Sequence, residues 1–279
     1  MRAKREADMA GAKGKYIEAA YELLERDGLE GVSIRKVAEE VGCSSTALYR
    51  HFPDIDKLIT VASIRFLSDY AEDARTLSQV EMNPLELNLQ LWECLAFYSF
   101  QNADVFENLF YGDQTGTLYS EAVSEYFTHY PEDLMGLKDF MFDMLMFSTI
   151  EERDAILLER AEEQGMLSKK GAAYLLKIDS YLFRGMLADL RGRVLSEEDF
   201  RKATHEFMQL LIRSYMTQIE DGFSILAVNP DFVTPQTNSE EDAWSSYRVR
   251  IVPANNGNAR RRGHDHQLKR RAASAKIGA

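Results

Sequence analysis

The stretch Gly42–Phe52, GCSSTALYRHF, decides how this chain folds at its N-terminal end. Gly42 can take the left-handed conformation that ends one helix, and Ser44 or Ser45 can cap the next. Leu48 and Phe52, four residues apart, then fall on one inward face. Pro53 stops the helix, because proline donates no N–H and disfavours helix in the residue before it. Upstream, Ser33 offers an N-cap to a short helix whose inward residues are Ile34, Val37, Ala38 and Val41. Helix, tight glycine turn, helix is the pattern of a helix-turn-helix, whose second helix lies in the major groove of DNA. With Leu48 facing the core, Thr46 and Arg50 point about 160° away, and Tyr49 lies on one flank at about 100°. Arginine can donate a bidentate pair to guanine, threonine can bond a base edge or touch a thymine methyl, and Tyr49 and His51 can reach phosphates. The small hydroxyls let the helix start come close to the duplex, and its free N–H groups favour an anion.

Outward from this stretch the spacing is helical almost throughout. Ile17, Ala20, Tyr21 and Leu24 predict a first helix from about Lys13 to Asp27-Gly28. Asp54 caps a long pattern that runs unbroken from Asp56 to about Leu77, the expected connecting helix. Pro84 opens another helix, with further ones around 103–111, 117–129, 134–148 and 151–165. Two long capped helices follow, Ser168 to about Arg191 and Ser196 to about Asp221, the second opened by a Ser196/Asp199 capping box. Past Val228 the pattern dissolves into a polar, basic tail read as disordered, and YRVRIVP looks too isolated to build a sheet. The fold class expected is all-α.

The 279 residues are 45% hydrophobic and 28% charged, with net charge −12 and two cysteines, Cys43 and Cys94. Two cysteines make no disulfide framework, the N-terminal sequence lacks the apolar stretch of a signal peptide, and no apolar run approaches membrane-helix length, so a cytoplasmic protein with no membrane partner is expected. Net acidity argues against nucleic acid, but its distribution does not: residues 61–225 hold 14 Lys and Arg against 29 Asp and Glu, whereas residues 1–60 hold 10 against 11. The bases Arg2, Lys4, Arg5, Lys13, Lys15, Arg35, Lys36, Arg50 and Lys57 can gather on one face of the first sixty residues.

SIRKVAEEVGCSSTALYRHFPDIDKL resembles the TetR family of transcriptional repressors. The frame is met by Arg35, Ala38, Val41, Gly42, Ser44, Leu48, Tyr49, His51, Phe52 and Leu58, and the resemblance covers about residues 13–62. It implies a double-stranded DNA interface of Arg35, Ser44, Ser45, Thr46, Tyr49, Arg50, His51 and Lys57. In that set Arg35 serves base or phosphate, Ser45, Thr46 and Arg50 base edges, and Tyr49 and His51 phosphates. Two positions depart from the family pattern. Ile55 stands where lysine is usual, leaving that phosphate contact absent or supplied by Lys57, and Cys43 replaces the usual valine without changing the packing demand.

The resemblance also implies four parts: a flexible basic arm at 1–12, the helix-turn-helix domain at 13–60, a helical effector-binding and dimerisation domain at 61–225, and the disordered basic tail at 226–279. The arm either tracks the minor groove or backbone or is a solvated end. A small-molecule effector, apolar or aromatic, would be lined by Trp92, Phe97, Phe100, Phe106, Phe110, Tyr126, Phe140, Met144 and Phe147, unless these aromatics are simply core. The homodimer would form through the last two long helices, with Leu175, Ile178, Leu182 and Gly185 on one and Phe200, Ala203, Phe207, Leu210, Leu211 and Tyr215 on the other, unless these build an intramolecular core. No catalytic residues, cofactor or metal are expected: the sequence has no Glu-x-x-His, Cys-x-x-Cys, His-Glu-x-x-His, Gly-x-Ser-x-Gly or phosphate-binding glycine loop, and His264 and His266 alone make no metal site. The whole reads as a ligand-responsive repressor on a palindromic operator. The alternative is a helical small-molecule-binding protein whose N-terminal bundle contacts proteins.

Overall fold

The structure, a computed structural model, describes residues 2–112, 117–131, 139–146, 149–227 and 249–254. Their fold is all-α apart from one hairpin. The helices are α1 (Arg2–Asp27), α2 (Ile34–Val41), α3 (Ser45–Tyr49), α4 (Ile55–Ile64), α5 (Ser68–Gln79), α6 (Pro84–Gln101), α7 (Ala103–Tyr111), α8 (Thr117–His129), α9 (Asp139–Met146), α10 (Ile150–Glu163), α11 (Lys169–Leu190) and α12 (Glu197–Gln218). Strands β1 (Phe223–Ala227) and β2 (Val249–Pro253) pair antiparallel, with Ile225 opposite Ile251.

The caps fall where the side chains dictate. Ser33, Ser44 and Asp54 each accept the N–H three residues on, at 3.3, 3.2 and 2.7 Å, which satisfies one orphan donor per helix. Thr149 with Glu152 and Ser196 with Asp199 form complete capping boxes, as does Asn83 with Glu86, where Pro84 costs nothing because its missing N–H would be unpaired anyway.

Three elements differ from the expectations of the sequence. The first helix begins at Arg2 rather than at about Lys13, because Arg, Lys, Glu, Ala and Met are helix formers and no proline stands between 2 and 13 to stop propagation. The connecting helix is not unbroken. It is interrupted by a 3-10 turn at Arg65–Leu67, where Ser68 Oγ donates to the Arg65 carbonyl at 2.7 Å while the Arg65 guanidinium pairs with Glu18 and lies 4.4 Å from the Tyr21 ring centre on α1. The tail is not wholly without structure from 226. The run around residue 250 finds its partner in β1, and Val249 and Ile251 are buried against α6 while Arg250 faces out. The Ile251 N–H donates to Glu86 Oε1 at 2.6 Å and Asn83 Nδ2 donates to the Ile251 carbonyl at 3.2 Å, so the α6 cap also clasps the strand. The remaining tail lies outside the described residues.

Buried apolar side chains form one continuous cluster from Tyr16 on α1 to Ile251 on β2. Its centre is aromatic: Trp92 and Phe100 of α6 pack on Phe183 of α11 and Phe207 of α12 at ring separations of 5.4–6.0 Å, within the range where tilted and edge-on pairs are favourable.

Candidate functional site

The head is a three-helix unit closed by α4. Val37, Leu48, Phe52 and Leu58 are fully buried on Ile17, Ala20 and Leu23 of α1. Gly42, at φ 72°, makes the turn: its neighbour Cys43 donates N–H to the Ala38 carbonyl at 2.8 Å, a six-to-one bond that reverses the chain between α2 and α3. With Leu48 pinned inward, the opposite face of α3 is presented to solvent. Thr46, Tyr49 and Arg50 are exposed, Ser45 is half-buried, and Arg35 lies exposed on α2. Ser44 Oγ is occupied as the cap of α3.

His51 is half-buried beneath this face, its ring 5.2 Å from that of Tyr16, and its Nδ1 has no hydrogen-bond partner. Burial, and then the charges of Lys13 and Arg50, hold its pKa below the usual histidine value. Lys57 does not point freely outward. It pairs with Glu121 of α8 at 3.2 Å, and Lys13 pairs with Glu125 of the same helix at 2.7 Å. Glu125 also meets His129 at 3.3 Å, and its carboxyl is held below its ordinary pKa despite partial burial, by Lys13 and His129.

The other face of α8 reaches the interior. Tyr119 donates to the Leu145 carbonyl of α9 at 3.1 Å, and the Arg153 guanidinium lies 4.7 Å from its ring centre and from that of Phe110. Beside this guanidinium lies a small pocket walled by Tyr70, Leu91, Trp92, Leu95, Met144 and Leu145, with Asn88, Arg153 and Asp154 as its polar groups. A second, smaller pocket lies between the α4–α5 connection and α8, walled by Ile64, Leu67, Ala71, Tyr126 and again Leu145.

Of the side chains expected to line an effector site, Trp92 and Met144 stand on the first pocket and Tyr126 on the second. Phe100, Phe106 and Phe110 are core instead, packed around Phe183 and Phe207, because helical spacing does not distinguish a face turned to a cavity from one turned to a neighbouring helix. Phe97 is half-buried against Phe200. The side chain of Phe140, and Phe147 altogether, lie outside the described residues.

Sequence reasoning missed the polar core behind the pocket. Asp154 Oδ1 accepts from Asn88 Nδ2 at 2.9 Å and from Trp92 Nε1 at 2.8 Å. Asn88 also donates to the Tyr215 hydroxyl at 2.8 Å, and that hydroxyl donates to Asp179 Oδ2 at 2.8 Å. The remaining oxygens, Asp154 Oδ2 and Asp179 Oδ1, are left to each other, and burial pushes Asp179 well up and Asp154 up to about 6. A signal existed: Asp179 interrupts the inward stripe Leu175–Asp179–Phe183, and a carboxyl among core positions demands a partner.

The supposed dimer residues divide. Leu175, Phe207, Leu211 and Tyr215 are fully buried inside the protomer, and Ala203 is buried too, so these side chains belong to its own core. Leu182, Ile178 and Phe200 are half-buried, and Gly185 and Leu210 are exposed. The outer faces of α11 and α12 instead show Tyr174, Tyr181, Leu210 and Met216, Tyr181 at 64% exposure. Among the described residues no helix is long and apolar enough to cross a membrane, and no group of three or more His, Cys, Asp or Glu is placed to hold a metal ion.

This is the architecture of a helix-turn-helix head on a larger helical unit with an internal pocket. Residues 17–61 match the family described as bacterial regulatory proteins, tetR family. The chain shares this N-terminal segment with that family. It is similar to the HTH-type transcriptional repressor DrrR1 of Streptomyces coeruleorubidus, 40% identical over 45 residues, which are 16% of this chain and only 17% of that protein's length. A TetR transcription regulator from Haloarcula marismortui superposes over 77% of this chain and 100% of its own at 13% identity and a TM-score of 0.48. PfmR, a TetR family regulator from Thermus thermophilus, does so over 71% and 97% at 20% identity and 0.41.

Proposed function

We propose that this chain is a TetR-type transcriptional regulator, a repressor that binds a palindromic operator as a homodimer and is governed by a small-molecule effector. One observation carries the reading: the exposed ridge Thr46–Tyr49–Arg50 stands opposite a fully buried Leu48 on a helix whose start is fixed by a cap and whose turn is fixed by Gly42. Such a ridge serves base edges, with Arg35 and Ser45 beside it and His51 at the phosphates. Residues 13–60 act as the reading head and 61–225 as the responsive domain, α4 belonging to both.

Two heads must stand about 34 Å apart to enter successive major grooves. The apolar outer face of α11 and α12 supports pairing of two copies there, and α8 supports coupling: one of its faces holds Lys13 and Lys57 of the head, the other walls the second pocket. A ligand that shifts α8 alters the angle of α4 and the spacing of the heads, which biases the dimer between two states.

The test is selection of duplex fragments by the purified full chain, followed by salt titration. We expect one palindromic family of sites, with affinity falling steeply as salt rises. Arg50→Ala is expected to relax the preference at one base pair, at a cost of about 1–3 kcal/mol, and His51→Ala to weaken every site alike. Equal binding to all duplexes, unmoved by Arg50→Ala, overturns the assignment.

A further inference from the structure

The head carries cations of two kinds. Arg35 and Arg50 stand exposed and form no salt bridge among the described residues. Lys13 and Lys57 are held by α8. Lys57 Nζ lies 3.2 Å from Glu121 Oε2 and Lys13 Nζ lies 2.7 Å from Glu125 Oε1, the two carboxylates being neighbours one helical turn apart on the same face. Both lysines sit at the margin of the reading face. Lys57 is in the first turn of α4, its N–H bonded to the Asp54 cap, and Lys13 stands at the end of α3, its Nζ 5.7 Å from the Phe52 ring centre and its charge felt by His51.

An ammonium group that meets a phosphate is the same group that here meets a carboxylate, so the two partners compete for it. The Lys57 pair is open to water, with the Glu121 side chain 55% exposed, and an exposed pair of this kind is weak enough for a duplex to displace. The Lys13 pair is more enclosed, and His129 adds a second contact to Glu125 at 3.3 Å. When DNA arrives, each lysine leaves its carboxylate or shares it, and a carboxylate left beside the backbone repels phosphate and draws a cation back. Both effects lower affinity, and the second also lowers its salt dependence. On the opposite face of α8, Tyr119, Val123 and Tyr126 wall the second pocket, so a movement of that wall also moves Glu121 and Glu125 relative to the lysines.

We propose that Glu121 and Glu125 are an internal substitute for DNA phosphate, holding Lys57 and Lys13 in the free protein and setting its affinity for DNA below what the same head reaches without these two carboxylates. The proposal rests on the reading of α3 and the start of α4 as the DNA-facing side. It gives α8 an electrostatic role beside its mechanical one: its approach to the head weakens phosphate binding, and its withdrawal frees two ammonium groups.

Anisotropy titrations of the full chain against its selected operator duplex and a duplex of unrelated sequence, each across a salt series, test it. Glu121→Gln is expected to tighten binding to both duplexes about two- to fivefold and to steepen the fall of log K with log salt. Adding Glu125→Gln is expected to tighten binding further. The deciding measurement is a double-mutant cycle with Lys57→Ala: the gain from Glu121→Gln should at least halve once Lys57 is absent. An equal gain with and without Lys57 would mean only a weaker negative field, and would overturn the proposal. Unchanged or weaker binding by Glu121→Gln would also overturn it, because the pair would then position Lys57 rather than withhold it. Equal binding to both duplexes with the Lys57-dependent gain intact would support the competitor and overturn the operator reading alone. Binding to neither duplex would remove both. Glu121 is exposed, so its single variant decides the matter even if the Glu125 variant fails to fold.

Discussion

His51 and Arg50 are neighbours in sequence with opposite fates, one half-buried under the reading face and the other standing on it. Because burial and two cations hold the His51 pKa down, the free head carries this ring neutral near pH 7. In the proposed complex a phosphate at the ring favours its protonated form, so DNA binding is expected to take up a proton. Operator affinity is then expected to rise as pH falls through the histidine range and His51→Gln to flatten that dependence, as measured by anisotropy between pH 5.5 and 8. At this scale the sequence displayed the outward residues of α3 through their spacing from Leu48. It could not display the engagement of Lys57 with Glu121, because that partner lies 64 residues away.

Among the elements, the turn between α2 and α3 was legible to the residue, since a glycine at the end of an apolar period has few other uses. No atom lies within 4 Å of where a Cβ on Gly42 would stand, so Gly42→Ala costs only the left-handed backbone, about 1–2 kcal/mol. A denaturation midpoint that does not move with this substitution would show the turn to be misassigned. The break in the connecting helix was illegible for a physical reason: no proline or glycine marks it, and it arises from a serine hydroxyl and from contacts of Arg65 with α1. Local signals reported caps and faces; they did not report what a face would meet. Phe100 and Trp92 share a helix and a period, yet one is sealed among rings and the other touches the cavity.

For the whole molecule, the all-α class and the order of its helices followed from periodicity, but the closing hairpin did not, because β1 and β2 are separated by 21 residues of sequence and neither signals the other. The burial of Phe207, Leu211 and Tyr215 moves the expected interface outward to Tyr174, Tyr181, Leu210 and Met216. Tyr181→Glu is expected to yield monomers in sedimentation and to weaken operator binding by tenfold or more, with the melting temperature little changed, since this side chain is exposed within the protomer. The clasp of Ile251 by Asn83 and Glu86 has a practical consequence for anyone shortening the gene. A stop placed after codon 228 to tidy the basic end would leave the Glu86 carboxylate without the Ile251 N–H and uncover the apolar flank of α6. The trimmed product should melt earlier than the full-length one, by roughly the 1.5–3 kcal/mol of a hydrogen bond to a charged group plus the lost burial, and should be the more prone to precipitate.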